Sequence, residues 1–102
     1  MKSFALKLYI TGTSVHSQRA ISNLDRLVAG GKSADCEVTI VDVLTDPDQA
    51  EADRVLATPT LIRCRPAPAR RVIGDLSDLQ AVRLALGLET AMPREPQGDL
   101  SA

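Results

Sequence analysis

Tryptophan is absent and the aromatic complement is Phe4 and Tyr9 alone, so the core has to be built from Leu, Val, Ile and Ala and its stability is expected to be modest. Cysteine is equally sparse. Cys36 and Cys64 form neither a C-x-x-C pair nor a disulfide framework, which fits reduced thiols packed as small side chains in a cytoplasmic protein. No apolar stretch approaches the roughly 18 residues needed to span a bilayer, and the stretch from Leu6 to Ile10 is broken by Lys7 and too short for a secretory leader. An excess of one charge is missing too. With 12 basic residues against 13 acidic ones, the chain lacks the strong positive field of a general nucleic-acid or anionic-membrane binder. A length of 102 residues suits one compact domain that buries only about 60–65 % of the surface exposed by the unfolded chain.

The balanced charge is unevenly distributed. Asp42, Asp46, Asp48, Glu51 and Asp53 crowd one stretch, whereas Arg63, Arg65, Arg70 and Arg71 follow with no acid between Arg54 and Gly74; two solvated faces are expected. Phe4, Leu6, Leu8 and Ile10 alternate with Ala5, Lys7, Tyr9 and Thr11, the period of a strand with one richly apolar face. Ala20, Ile21, Leu24, Leu27 and Val28 then fall at helical spacing, with Thr13, Ser14 and Ser17 as caps to choose from and Gly30-Gly31 as a stop. Val38 to Val43 reads as a second strand, and a strand-helix-strand unit of this length implies parallel pairing through a right-handed crossover. Asp46-Pro47-Asp48-Gln49 opens a short helix over residues 47 to 55. Thr60 to Cys64 and Arg70 to Ile73 form two short strands joined through Pro66-Ala67-Pro68, and Ser77-Asp78-Leu79-Gln80 reads as a capping box for a last helix. The order β-α-β-α-β-β-α predicts an α/β fold with sheet order 2-1-3-4. Residues 1–90 are expected to form the domain and 91–102 a flexible tail.

The last segment satisfies two periods at once. Val82, Leu84, Leu86 and Leu88 alternate as a strand would, but Ala85 is the best helix former and Gly87 is a natural helix end. A helix is the expected outcome. A sequence that serves both periods leaves two packings close in energy, the condition for fold switching.

Thr58-Pro59-Thr60 enters the third strand where thioredoxin-like folds carry a cis-proline beside their ligand surface, so Pro59 is a cis-proline candidate. A redox enzyme of that fold needs a low-pKa thiolate at the start of the first helix. That place reads Gly12-Thr13-Ser14-Val15-His16-Ser17, which excludes thiol-disulfide exchange there. A glutathione-transferase-like role for Ser14 lacks a second domain to hold substrate, and His16 has no local carboxylate to orient it. Gly31-Lys32-Ser33 mimics the end of a phosphate-binding loop, but Arg26 stands where the first glycine must be. Asp42, Asp46 and Asp48 lack the spacing of a calcium loop. Neither a cofactor nor a metal site is expected.

Leu6-Lys7-Leu8-Tyr9-Ile10-Thr11-Gly12, Val41-Asp42-Val43-Leu44, Leu56-Ala57-Thr58-Pro59-Thr60-Leu61 and Arg70-Arg71-Val72-Ile73-Gly74-Asp75-Leu76-Ser77 together resemble the KaiB family over roughly residues 4 to 90, the last two segments being the specific ones. The resemblance implies a single thioredoxin-like domain that works as a non-enzymatic partner of KaiC, a hexameric ATPase of circadian or related timing systems. It also implies a second, KaiB-type alternative fold in which the C-terminal half rearranges and the chain self-associates as a tetramer. The family further supplies an input domain to a clock-linked sensor kinase, so an adaptor role is an alternative, as is a thioredoxin- or glutathione-type enzyme. Relatives usually show Gly and Asp where this chain has Ala85 and Gly87, and Ala85 should favour helix by about 1 kcal/mol over Gly. A second strand at the sheet edge leaves backbone groups free to recruit a partner. Glu37 and Thr39 on that strand, with Tyr9 and Arg19 on neighbouring elements, are therefore the expected partner-binding residues, and Pro59, Ala85 and Gly87 the fold-switch positions.

Overall fold

A computed structural model describes residues 4–29 and 36–88. Strand β1 (Phe4–Ile10) is followed by helix α1 (Val15–Ala29), β2 (Cys36–Asp42), α2 (Pro47–Ala52), β3 (Thr60–Arg65), β4 (Arg70–Ile73) and α3 (Leu79–Leu86). The element order and the sheet order β2-β1-β3-β4 are those the sequence predicts. β1 pairs parallel with β2 over its whole length, Phe4 opposite Cys36 and Ile10 opposite Asp42, as a helical crossover requires. β3 runs antiparallel to both β1 and β4.

Alternation along β1 sends its residues to two separate cores. Leu6, Leu8 and Ile10 join Ala20, Leu24 and Leu27 of α1, Leu61 of β3 and Val82 and Leu86 of α3 in the larger cluster. Tyr9 on the opposite face packs with Val41, Ala50 and Ile62 under α2. The second face, which carries Ala5, Lys7 and Tyr9 opposite the richly apolar one, is therefore partly a core. Its cover is short because α2 has six residues.

Local chemistry moves several boundaries from their expected places. α2 ends at Ala52 rather than near residue 55, because Arg54 takes a left-handed backbone, φ 56°, and the Arg71 guanidinium binds the last carbonyls, those of Asp53 at 2.8 Å and Arg54 at 3.2 Å. β2 starts at Cys36, two residues before the expected Val38, since its register extends to the first described residue of β1. It stops at Asp42, whose carboxylate accepts from the Gly12 and Leu44 amides at 3.1 and 2.9 Å and turns the chain. Asp78, not Ser77, caps α3: its Oδ1 accepts from Ala81 N at 3.1 Å, while the Ser77 amide donates to Asp75. Asp46 caps α2 as expected and receives the Gln49 side chain at 2.8 Å. For α1 the cap is Ser14, whose Oγ accepts from Ser17 N at 3.2 Å; Ser17 is buried inside the helix.

α3 is a helix, so the 3.6-residue period wins over the alternation from Val82 to Leu86. Val82 and Leu86 bury against the sheet, Ala85 is exposed, and Gly87 closes the helix at φ 72°, a conformation that disfavours any side chain. The stop proposed at Gly30-Gly31, the Gly31-Lys32-Ser33 segment and the tail 91–102 lie outside the described residues. No helix among the described residues is long and apolar enough to cross a membrane.

Candidate partner-binding surface

β2 is an edge strand, and residues paired across a ladder share a face. Glu37 lies opposite Ala5, Thr39 opposite Lys7 and Val41 opposite Tyr9. Only Val41 reaches the shelter of α2; Glu37 and Thr39 are exposed beside it. Across Ala5, the Arg65 guanidinium meets the Glu37 carboxylate at 3.2 Å. Lys7, Glu37, Thr39 and Arg65 thus make an open polar sheet face next to a free strand edge. On the reverse face of β2, Val38 and Ile40 are also exposed.

Tyr9 corrects an expectation. It is 0 % exposed, so it is no surface contact, and it instead builds the floor beneath α2. Its hydroxyl donates to the Asp53 carboxylate and stands 3.2 Å from the Gln49 carbonyl, tying β1 to the end of α2. The Lys7 ammonium reaches the same Asp53 oxygen at 3.0 Å. Burial, and then the adjacent Asp53, push the tyrosine hydroxyl well above its ordinary pKa. The hydrogen bond from Tyr9, helped by Lys7, holds the Asp53 carboxyl below the ordinary carboxylate range against the opposing effect of its partial burial. The sequence signal for this role was the lone tyrosine flanked by apolar residues; its partner lay forty-four positions away and carried no mark.

Arg19 stands on α1, which packs against the Leu6/Leu8 face, and pairs at 3.9 Å with Asp75. It is therefore not brought together with Glu37 and Thr39. Two further residues depart from their expected surroundings. Cys64 is exposed rather than packed, although Cys36 does pack on the core. Arg63, read as part of a solvated basic run, is 6 % exposed. Its guanidinium donates to the Leu86 carbonyl at 2.8 Å and the Pro68 carbonyl at 2.7 Å, where the negative end of α3 compensates its charge, and its Nε has no hydrogen-bond partner among the described residues.

At the other end of this layer lies the place a thioredoxin-like fold reserves for chemistry. The Thr58–Pro59 bond is cis, as are Arg65–Pro66 and Ala67–Pro68. The Thr58 hydroxyl is bonded to that of Thr11 at the end of β1. Ser14 has its hydroxyl committed to Ser17, 2.8 Å from Oγ and 3.2 Å from the amide, and His16 is exposed on α1. Beside α2 lies a groove of about 600 Å³ lined by Val43, Pro47, Ala50, Glu51, Arg54, Val55 and Leu56. Leu56 is 95 % exposed, which suits contact better than catalysis.

A family model described as the KaiB domain matches residues 7–88. The chain belongs to the KaiB family. Among curated relatives, the circadian clock protein KaiB3 of Synechocystis is 41 % identical over 100 residues, covering 93 % of this chain and 98 % of the relative. The circadian clock oscillator protein KaiB of Prochlorococcus marinus is 42 % identical over 87 residues, 85 % of this chain and 73 % of that one. In three dimensions this KaiB-family chain is similar to the N-terminal domain of Synechococcus elongatus SasA, with a TM-score of 0.71 at 22 % identity, covering 93 % of this chain and 91 % of that domain. It is likewise similar to mitochondrial thioredoxin 3 of Saccharomyces cerevisiae, with a TM-score of 0.69 at 17 % identity over 85 % of this chain and 79 % of the thioredoxin. These likenesses establish the thioredoxin-like fold, and the KaiB relatives establish a circadian-clock family.

Proposed function

We propose that this chain is a non-enzymatic regulator of a KaiC-type hexameric ATPase in a circadian or related timing system, acting by occupying a surface of that partner. The observation that carries this reading is membership of a clock-protein family, and the lack of a thiol at the start of α1 supports a role in binding. The partner is received on the open face and free edge of β2, through Glu37 and Thr39 with Lys7 and Arg65 beside them. Tyr9 supports that face from below, and Arg19 serves the α1 side only.

Size-exclusion chromatography with light scattering, on the chain alone and mixed with a KaiC-type hexamer in ATP and in ADP, tests the proposal. Co-elution is expected, and Glu37→Arg should weaken it. Absence of co-elution in both nucleotides overturns the reading. The chain run alone also addresses the second fold implied by the family: with Ala85 favouring helix, a thioredoxin-like monomer is expected, and a tetramer would show that the rearranged form prevails.

A further inference from the structure

We infer that the opposite edge of the sheet, β4 together with α3, is a second docking site, which takes an extended, acidic protein segment as a fifth strand. β4 ends the sheet. Gly74 N–H donates to the Pro59 carbonyl at 2.9 Å, and the pairing of Val72 with Leu61 and Arg70 with Arg63 continues that register. By the alternation of antiparallel pairs, the amides and carbonyls of Arg71 and Ile73 point away from β3 to the open edge. A row of unpaired main-chain groups there is a template for another strand.

Beside this edge runs a groove of about 300 Å³, floored by Val72 and Val82, bordered by Ile73, Ala81 and Ala85, and closed at the end away from Arg70 by the Gly74-to-Asp78 turn with its Asp75 and Asp78. The alanines stand four apart on one helical face, and their small side chains leave room for those of an incoming strand. Ile73 is 63 % exposed and offers an apolar contact on the other face.

Charge selects the occupant. The Arg70 side chain has no hydrogen-bond or ion-pair partner among the described residues. Arg71 donates to the carbonyls of Asp53 and Arg54 and also feels the Asp53 carboxylate, which Tyr9 and Lys7 bind directly, so Arg70 is the cation left for an occupant. No acid lies between Arg54 and Gly74. The acids at the far end are engaged, Asp75 with Arg19 and Asp78 as the α3 cap. The segment therefore places an acidic residue by Arg70 and apolar or small residues in the groove. A polypeptide fits better than nucleic acid because the edge offers main-chain pairing and the groove is apolar.

The test uses the full chain, ¹⁵N-labelled, titrated to millimolar concentration with two blocked heptapeptides, one alternating Glu and Val and the other Lys and Val. The Glu/Val peptide should shift the amides of Arg71, Ile73, Ala81 and Ala85 and slow hydrogen exchange at Arg71 and Ile73. Arg70→Glu should weaken that binding about fivefold, and Ala81→Arg, which fills the groove from an exposed helical position, should abolish it while the remaining spectrum is unchanged. Equal binding of the Lys/Val peptide, shifts confined to β2, or no shift with either peptide overturns the inference. No hexamer is involved, so the outcome is independent of the reading given for β2.

Discussion

The two faces of the sheet solve the same burial problem with different means. On one, α1 and α3 cover Leu6, Leu8, Ile10 and Leu61 mainly with aliphatic side chains, the buried Ser17 and Arg63 lying at its margins. On the other, a six-residue helix covers Tyr9, Val41 and Ile62 incompletely, and the gap is closed by a polar knot of Tyr9, Lys7 and Asp53. Dispersion and loss of apolar surface from water hold the first face and are indifferent to pH. The second depends on ionisation, and beyond the reach of α2 it leaves Glu37, Thr39 and Arg65 exposed. The thin cover leaves part of this face open, and hydrogen bonds to a charged group are what make it stable.

Substitutions that empty one face but not the other should break this contrast. Leu8→Ala, at a wholly buried position of the larger cluster, should cost about 3 kcal/mol in urea unfolding by loss of transfer energy and creation of a cavity. Its cost should not vary with pH between 4 and 8. Gly87→Ala, at the end of α3, should cost about 2 kcal/mol, since φ is 72° and a Cβ would meet the Arg63 Nη1 at 2.8 Å. A loss below a few tenths of a kcal/mol would show that the Arg63 latch on α3 yields freely.

On the thin face, Tyr9→Phe should cost about 1–2 kcal/mol near neutrality by removing a hydrogen bond to a carboxylate. The pH dependence should change with it. Because the Asp53 pKa is depressed in the folded state, its contribution is present above the unfolded value near about 3.9 and is lost as pH falls through the folded value. Tyr9 acts with the opposite sign: its raised pKa makes its contribution complete below about pH 10 and lost as pH rises beyond that. Tyr9→Phe should flatten the stability profile at both ends, and an unchanged acid limb would refute the knot. Smallest of all, Glu37→Ala should alter stability by less than about 0.5 kcal/mol, because its pair with Arg65 is about half exposed on both sides. A larger loss in the same denaturation assay would mean that the open face is structural rather than reserved for contact.

What the sequence determined by itself is local or periodic. The alternation from Phe4 to Ile10, the helical spacing from Ala20 to Val28, the proline-rich link between β3 and β4 and the cap at Asp46 sufficed for the element order, while the choice of Ser14 over Thr13 and Ser17 was left to the structure. The crossover rule gave the parallel pairing of β1 with β2, and the sheet order and β2 edge came with the thioredoxin-like arrangement that the family resemblance implies. Four short segments carried the family. What only the tertiary structure decided concerns partners distant along the chain. Tyr9 lies in an alternation that reads as exposed, and it is buried because α2 folds back over it and Asp53 meets its hydroxyl. Arg63 belongs to a basic run that reads as solvated, and it is buried because the α3 carbonyl end and Pro68 arrive to receive it. Arg19 and Glu37 looked like neighbours until the sheet was placed between them. Periodicity reports which side of an element a residue occupies, but whether that side meets water or another element is settled only when the chain closes on itself.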